Sequence, residues 1–227
     1  MAIIDSQRNS AVEPTRKGAN EAGIISLAGF IARGAEATLS EERWEGVAAV
    51  LKDRVVKGYR LPELDRELRL SRTRLERNVL IAARRLGVRV PRVLDAGRTT
   101  LLLEKIEGRR VKEALGEMDD KKITVLGNRI GEQVQRLHQG GMAHGDLTAS
   151  NMILGEKLWL IDFGLAKPSA SDEEKAADVF LFSESLKAIQ AERLWRSFLK
   201  AYGHNNSSFT VIMQKYRKIA SRRRYRG

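Results

Sequence analysis

His144-Gly145-Asp146-Leu147-Thr148-Ala149-Ser150-Asn151, followed eleven residues after Asn151 by Asp162-Phe163-Gly164, is the stretch from which the rest of the chain is read. Asp162 ends an apolar run, Leu158–Ile161, that reads as a short strand, and a second short strand is expected near Met152–Leu154. Phosphoryl transfer from a nucleotide asks little covalent chemistry of a protein. It needs a metal ion to neutralise phosphate charge and a carboxylate beside the incoming nucleophile. Mg²⁺ wants one or two protein oxygens and takes the rest from phosphate and water. Asp162 at a strand end supplies a carboxylate, and Asn151, five positions after Asp146, supplies a neutral oxygen. Asp146 is then free to face the nucleophile. Each piece alone is a common accident. Together, with a strand on either side and a long helix before, they satisfy the rule that a motif counts when its context agrees.

Upstream of that stretch the pattern is mostly β. Strands are expected over Ile24–Ile31, Ala35–Arg43 and Val47–Val55, with Trp44-Glu45-Gly46 turning the chain between the last two. Pro62 closes a loop containing Lys57-Gly58-Tyr59-Arg60. A helix follows, on which Leu75, Val79, Ala82 and Leu86 share one face. Arg92–Asp95 and Thr100–Ile106 form a further β pair. After Gly108 the character turns helical. Ile123, Leu126, Ile130, Val134 and Leu137 stripe a helix over 119–139, which Gly140-Gly141 ends. Ser171 and Glu174 form a capping box opening a helix with Val179, Phe182, Leu186 and Ile189 on one face. Two more helices are expected near 191–202 and 207–221. The expected organisation is a flexible leader at 1–23, a β-rich lobe at 24–106 and an α-rich lobe at 107–227. The fold class is α+β.

The catalytic-loop wording and Asp-Phe-Gly resemble protein kinases. His-Gly-Asp-Leu-Thr-Ala-Ser-Asn and Ile-Asp-Phe-Gly-Leu-Ala resemble, more narrowly, the small atypical kinase subunit of the KEOPS complex, the PRPK-type kinases. Gly34-Ala35-Glu36-Ala37, Ala48-Ala49-Val50-Leu51-Lys52, Lys57-Gly58-Tyr59-Arg60 and the arginine-rich end Arg222–Gly227 agree with it, so that it spans residues 24–227. The resemblance implies a protein-kinase-like two-lobed fold using ATP and Mg²⁺. It implies that Lys52 grips the α- and β-phosphates, that Glu76 pairs with Lys52, that Asp146 is the catalytic base or a nucleophile-orienting acid, and that Asn151 and Asp162 bind Mg²⁺. It further implies Leu103 behind the adenine, adenine hydrogen bonds from the Glu104–Ile106 backbone, and Gly34 over the phosphates. The resemblance also implies that Asp178, otherwise an ordinary first-turn helix acid, braces the catalytic loop by accepting backbone N–H bonds, and that His144 packs and braces that loop. The partners implied are a threonylcarbamoyl transferase subunit, a small accessory subunit on the N-lobe, and tRNA.

Three departures from an ordinary protein kinase stand out. Gly34 is the one glycine left of the phosphate loop. Gly145 stands where regulated kinases carry arginine. Only fifteen residues separate Asp162 from Asp178, with no Ala-Pro-Glu among them. Activation-loop switching and docking of an extended peptide are therefore not expected, and the family implication is ATPase activity with weaker protein-kinase activity.

Composition narrows the rest. In 227 residues there is no cysteine, which excludes disulfides, zinc–thiolate sites and thiol catalysis. No run approaches eighteen uncharged apolar residues, so no helical membrane span is expected, and with no targeting signal the expected location is cytosol or nucleus. The net charge of +12 favours a polyanionic partner. Lys215, Arg217, Lys218, Arg222, Arg223, Arg224 and Arg226 form a basic end that reads as a phosphate-backbone footprint, or as a solvated tail or nuclear-localisation patch. Arg66, Arg69, Arg72, Arg74 and Arg77 form a second cluster, which extends that footprint or solvates its helix. His138, His144 and His204 have no metal-ligand spacing, and Trp44, Trp159 and Trp195 read as core or interface residues. Two functions compete: a Mg²⁺-ATP-dependent kinase and ATPase supporting tRNA modification, and a non-catalytic kinase-fold scaffold. A Rio-type or aminoglycoside-type phosphotransferase is a third reading, against which the Lys-Gly-Tyr-Arg segment and the arginine tail weigh.

Overall fold

A computed structural model describes residues 24–33 and 36–224, with side chains described for 36–222. The leader, Gly34 and Arg226 therefore lie outside the described residues. The chain enters on β1 (Ile24–Arg33), which pairs antiparallel with β2 (Ala37–Trp44). β3 (Val47–Arg54) returns beside β2 through Glu45-Gly46, both at positive φ, 47° and 81°. That is the two-residue turn whose twist matches its strands.

α1 (Pro62–Arg85) is inserted next. Pro62 in the first turn has a ready-made helical φ, and Glu63 and Asp65 there, with Arg84 and Arg85 in the last turn, complement the helix dipole. β4 (Val93–Ala96) and β5 (Thr100–Glu104) complete an antiparallel sheet of order β1-β2-β3-β5-β4. Strand β5 stops at Glu104, two residues before the expected end at Ile106.

The expected face of α1 needs correcting. Thr73, Glu76, Val79, Leu80 and Ala83 are buried, while Leu75 and Ala82 are half-buried and Leu86, just past the helix end, is exposed. Glu76 is drawn inward by two cations on β3, which rotates the buried stripe away from the one that hydropathy alone suggests.

The helical part begins with two elements the sequence pattern did not reveal: β6 (Arg109–Arg110) and α2 (Val111–Ala114), one turn long. α3 (Asp120–Gln139) is capped by Asp119, whose side chain accepts from the Lys122 N–H at 2.7 Å. Ile123, Leu126, Ile130, Val134 and Leu137 are all buried, as their spacing predicts. β7 (Met152–Leu154) and β8 (Leu158–Leu160) join β6 in a three-stranded sheet. α4 (Asp172–Ala188) opens on the expected Ser171–Glu174 capping box and buries residues on more than one face, Ala176, Val179, Phe180, Phe182 and Leu186 among them. Ile189, expected on its buried face, follows the last turn and is exposed. α5 (Trp195–Gly203) and α6 (Phe209–Arg224) finish the described chain. Trp195, one of the three tryptophans expected at core or interface, is half-buried and stacks on the core residue Phe198 at 5.2 Å.

α3 and α5 approach unusually closely because α3 carries glycine where they touch. A methyl on Gly131 would sit 2.5 Å from the Phe198 carbonyl oxygen and 2.8 Å from the Tyr202 nitrogen. Both neighbours are backbone, so the helices themselves must part. Gly131→Ala is expected to cost about 1–3 kcal/mol of stability, read as a lowered urea midpoint. Gly116→Ala, which meets nothing within 4 Å, serves as the control that should not move it.

Candidate active site

β3, α1 and the turn after β8 converge on one cluster of charge. Lys52 projects from β3, and its ammonium lies 2.7 Å from Glu76 Oε1 on α1 and 2.8 Å from Asp162 Oδ1. Lys52 and Glu76 are buried, whereas the Asp162 side chain is 53% exposed. Burial by itself pushes the Lys52 ammonium down, but the charges of Glu76 and Asp162 outweigh it and hold its pKa above that of an ordinary lysine. Burial likewise works to raise the Asp162 carboxyl, and the adjacent Lys52 ammonium reverses this, keeping it below the usual carboxylate range. Both groups are therefore ionised at neutral pH.

Sequence reasoning missed the second cation of this cluster. Arg54, two residues beyond Lys52 and 4% exposed, reaches the other oxygen of Glu76 at 2.5 Å. It also lies 3.9 Å from Glu36, which Arg72 of α1 engages directly. Glu76 is thus held by one oxygen each to Lys52 and Arg54, and a buried carboxylate with two cations is paired rather than stranded. The signal was present in the alternation of β3, which puts Lys52 and Arg54 on the same face.

The loop opposite is equally constrained. Gly145 has φ of +81°, and a Cβ there would lie 2.0 Å from the Leu165 carbonyl oxygen. No side chain fits, so the arginine of regulated kinases is excluded by sterics as well as by sequence. Asn151 Nδ2 donates to Asp146 Oδ2 at 2.8 Å and to the Asp146 carbonyl at 2.9 Å. These bonds orient the Asp146 carboxylate and leave the amide oxygen of Asn151 as its remaining donor atom for a cation. The Ile161 N–H donates to the Asn151 carbonyl at 3.0 Å, so Asp162 follows immediately beside Asn151. Asp162 itself has φ of +63°, a left-handed conformation costly for a residue with a side chain.

Asp178, 1% exposed on α4, accepts from the N–H groups of His144 at 2.5 Å and Gly145 at 2.8 Å, the bracing arrangement the resemblance implies. His138 of α3 reaches the same carboxylate at 3.2 Å and the Tyr202 hydroxyl at 2.7 Å, a link from α5 to the loop that the sequence did not disclose. The Ala149 N–H bonds the Ser185 hydroxyl at 3.2 Å, and Arg110 donates to the Ser150 carbonyl at 2.7 Å.

His144 is fully buried, 4.4 Å from the Phe163 ring. Its Nε2–H donates to the Ile161 carbonyl at 3.0 Å, while Nδ1 has no partner among the described residues. Burial holds its pKa below that of a free histidine. The unfolded chain then takes up a proton that the folded chain refuses, so stability falls as pH drops from about 6.5 through the folded pKa, by at most about 1.4 kcal/mol per pH unit. His144→Leu is expected to shrink that acid-side loss, measured as the difference in urea midpoint between pH 7.5 and 5.5. An equal loss in the variant would contradict it.

The segment after Asp162 is short and spoken for. Ala143 and Lys167 exchange two backbone hydrogen bonds of 2.9 Å, and the Ala170 N–H reaches the Gly141 carbonyl at 2.7 Å. It folds straight back on the catalytic loop. At the end of β5 the Glu104 N–H is already bonded to the Arg92 carbonyl at 2.8 Å and is not free for a ligand. Arg222 is exposed on α6, and Arg223 and Arg224 lie in the same helix, whereas Arg226 is outside the described residues. Lys215 of the same helix pairs with Glu173. Among the described residues no three His, Cys, Asp or Glu side chains form a metal cage. Asp162 and Asn151 offer instead the sparse oxygen pair that suits a Mg²⁺ also held by substrate phosphates.

A small antiparallel sheet with one ion-paired helix, set against a helical part bearing the Asp146–Asn151 loop, defines a kinase-like fold. The comparisons take this further. A model of the RIO domain matches residues 55–182. A probable serine/threonine-protein kinase BUD32 homolog of Archaeoglobus fulgidus is 38% identical over 179 residues, covering 78% of this chain and 88% of its own. The KEOPS complex subunit Bud32 of Pyrococcus abyssi is 36% identical over 188 residues, covering 79% and 86%. The chain belongs to the RIO-domain family of atypical protein kinases, alongside these Bud32 proteins. Rio-type and KEOPS-type readings, set apart by the sequence argument, are thus one family.

A probable bifunctional tRNA threonylcarbamoyladenosine biosynthesis protein of Methanothermobacter thermautotrophicus is 34% identical over 98% of this chain, but the match spans only 41% of that longer protein. Among solved structures, WaaP in complex with acyl carrier protein has a TM-score of 0.62 at 13% identity, covering 86% of this chain and 89% of its own. The Rio2 kinase of Chaetomium thermophilum, solved as an ADP/Mg²⁺-phosphoaspartate complex, has 0.61 at 15%, covering 84% and 66%. At those identities the likeness shows the fold.

Proposed function

We propose that the chain is a Mg²⁺-ATP-dependent atypical Ser/Thr kinase and ATPase that serves as a KEOPS subunit supporting threonylcarbamoyl-adenosine formation on tRNA. The observation that carries the enzymatic part is the convergence of Lys52, Glu76 and Asp162 opposite an Asp146 already oriented by Asn151. In this reading Lys52, held extended by Glu76, binds the α- and β-phosphates. The Glu104 carbonyl and the Ile106 backbone receive the adenine in front of Leu103, with Gly34 over the phosphates. Asp162 and Asn151 hold Mg²⁺, which neutralises phosphate charge when bound. Asp146 orients the attacking hydroxyl or water and accepts its proton.

The KEOPS assignment is supported by the names of the Bud32 relatives and of the bifunctional protein. It implies a threonylcarbamoyl transferase subunit and a small accessory subunit as partners, with tRNA reached by Arg222, Arg223, Arg224 and Arg226. The short segment tied back at Ala143 and Gly141 favours water over an extended peptide as acceptor.

The test is steady-state ATP hydrolysis by the full chain, with and without the transferase partner, in Mg²⁺ and in EDTA. Turnover that requires Mg²⁺ supports the enzyme. Support of tRNA modification without nucleotide would favour the scaffold reading, which the lone Gly34 and the short segment recommend.

A further inference from the structure

The outer side of α1 carries a feature that the kinase chemistry does not use. Between Arg69 and Leu94 lie eight arginines, no lysine and a single acid, Glu76, which is buried in the cleft. The arginines divide by face. Arg69 pairs with Asp65 and Arg72 with Glu36, both internal to the fold. Arg74, Arg77 and Arg85, with Arg98 of the β4–β5 turn, are exposed and make no ion pair among the described residues. Arg84 has only a 3.4 Å contact to the Val90 carbonyl, and Arg92 stands 4.0 Å from Glu104.

These six side chains rim two hollows. One, of about 280 Å³, is lined by Leu70, Thr73, Arg74, Arg77, Gly97 and Arg98, with Ala96 beside them. The other, of about 340 Å³, is lined by Leu80, Arg84, Arg85, Pro91, Arg92 and Val93. Residues 70, 73, 74, 77, 80, 81, 84 and 85 follow one another at helical spacing, so the hollows lie along one side of α1. Their centres are separated by roughly 14 Å at 1.5 Å per residue. The flanking acids, Glu67 and Asp95, line neither hollow.

We propose that this face of α1, with the β4–β5 turn, binds the phosphate backbone of a structured RNA. Three guanidinium groups rim each hollow; those of the first have no carboxylate partner among the described residues, and of those at the second only Arg92 stands near one, Glu104 at 4.0 Å, so the set matches phosphate oxygens in charge and in fork geometry. A lone phosphate or nucleotide would use one hollow and leave the other. Two basic hollows in a row fit a polymer of repeating phosphates. An acidic protein is the rival occupant. The surface is separate from the arginine tail and from the cleft, and it shares with the proposed function only the RNA partner.

The experiment measures binding of an unmodified tRNA transcript to the full chain by fluorescence anisotropy over a series of salt concentrations. The combined variant Arg74→Ser, Arg77→Ser, Arg98→Ser is expected to weaken binding at least tenfold near 150 mM salt. It should also flatten the plot of log K against log salt by about 2–3, since each lost phosphate contact removes roughly 0.7–0.9 from the slope. The corresponding Lys variant should restore the slope. Unchanged thermal melting confirms the fold. A tail variant, Arg222→Ser with Arg223→Ser and Arg224→Ser, should lose affinity additively. The proposal is overturned if the combined variant keeps the wild-type affinity and slope, if the tail variant alone accounts for all binding, or if polyglutamate displaces the RNA as well as duplex RNA does. ATP hydrolysis enters none of these outcomes, so failure here leaves the enzymatic reading intact, and the reverse.

Discussion

Asp146→Asn is expected to lower Mg²⁺-dependent ATP turnover by about a thousandfold, within the range of roughly 10²–10⁴ for loss of a positioned general acid or base. The substitution keeps size and a hydrogen-bonding oxygen, so the Asn151 Nδ2 contact to position 146 survives and the loop retains its shape. What disappears is the charge and the proton acceptor. The expected signature is a fall in kcat with nucleotide affinity little changed, because in the proposed mechanism Asp146 orients the nucleophile and leaves the nucleotide to other residues. Asp162→Ala should differ in kind. It removes one partner of Lys52, at 2.8 Å, together with the carboxylate proposed to hold Mg²⁺, so Mg²⁺-ATP affinity should fall along with turnover. Equal kinetic profiles for the two variants, or wild-type turnover in Asp146→Asn, would contradict the division of labour.

The largest effect on stability is expected at Asp178, and it follows from counting donors. Its two oxygens, essentially out of water, serve the His144 and Gly145 N–H groups and lie within reach of His138. Asp178→Ala leaves those groups buried without an acceptor, at about 1–3 kcal/mol each. Partial relaxation brings the expected total to about 3–5 kcal/mol. Asp178→Asn, which keeps one acceptor oxygen, should fall between the variant and wild type. Equilibrium urea unfolding measures both. Because the same carboxylate fixes the two residues before Asp146, turnover should drop at temperatures where Asp178→Asn is still folded, and His138→Gln should show a smaller version of both effects.

Much of this was legible in the residues. The helical stripes of α3 and α4, the capping box at Ser171, the Glu45-Gly46 turn and the strand order of the loop around Asp162 all follow from local periodicity and turn chemistry, which act over a few residues. Leu86 and Ile189 were misplaced because periodicity continues past a helix end without knowing that the end is there. The one-turn α2 and two-residue β6 fell below the length at which a period can be seen. Among site residues, Asp146, Asn151 and Asp162 were singled out by their local spacing and Lys52, Glu76 and Asp178 by the family resemblance, and the structure pairs Lys52 with Glu76 and Asp162, and Asn151 with Asp146. Arg54, His138, Arg110 and Ser185 did not announce themselves, because each acts through a partner more than twenty residues away.

By itself, then, the sequence determined the longer helices and strands and the local motif around Asp146 and Asp162, since backbone propensity, hydropathy period and short motifs are properties of neighbours along the chain. Tertiary structure alone decided how charge is shared out: that Glu76 divides its oxygens between Lys52 and Arg54, that Arg69 and Arg72 are neutralised inside the fold, and that Arg74, Arg77 and Arg98 are left free at its surface. Electrostatic pairing depends on distance and burial in space, and both are set only when α1 packs against the sheet.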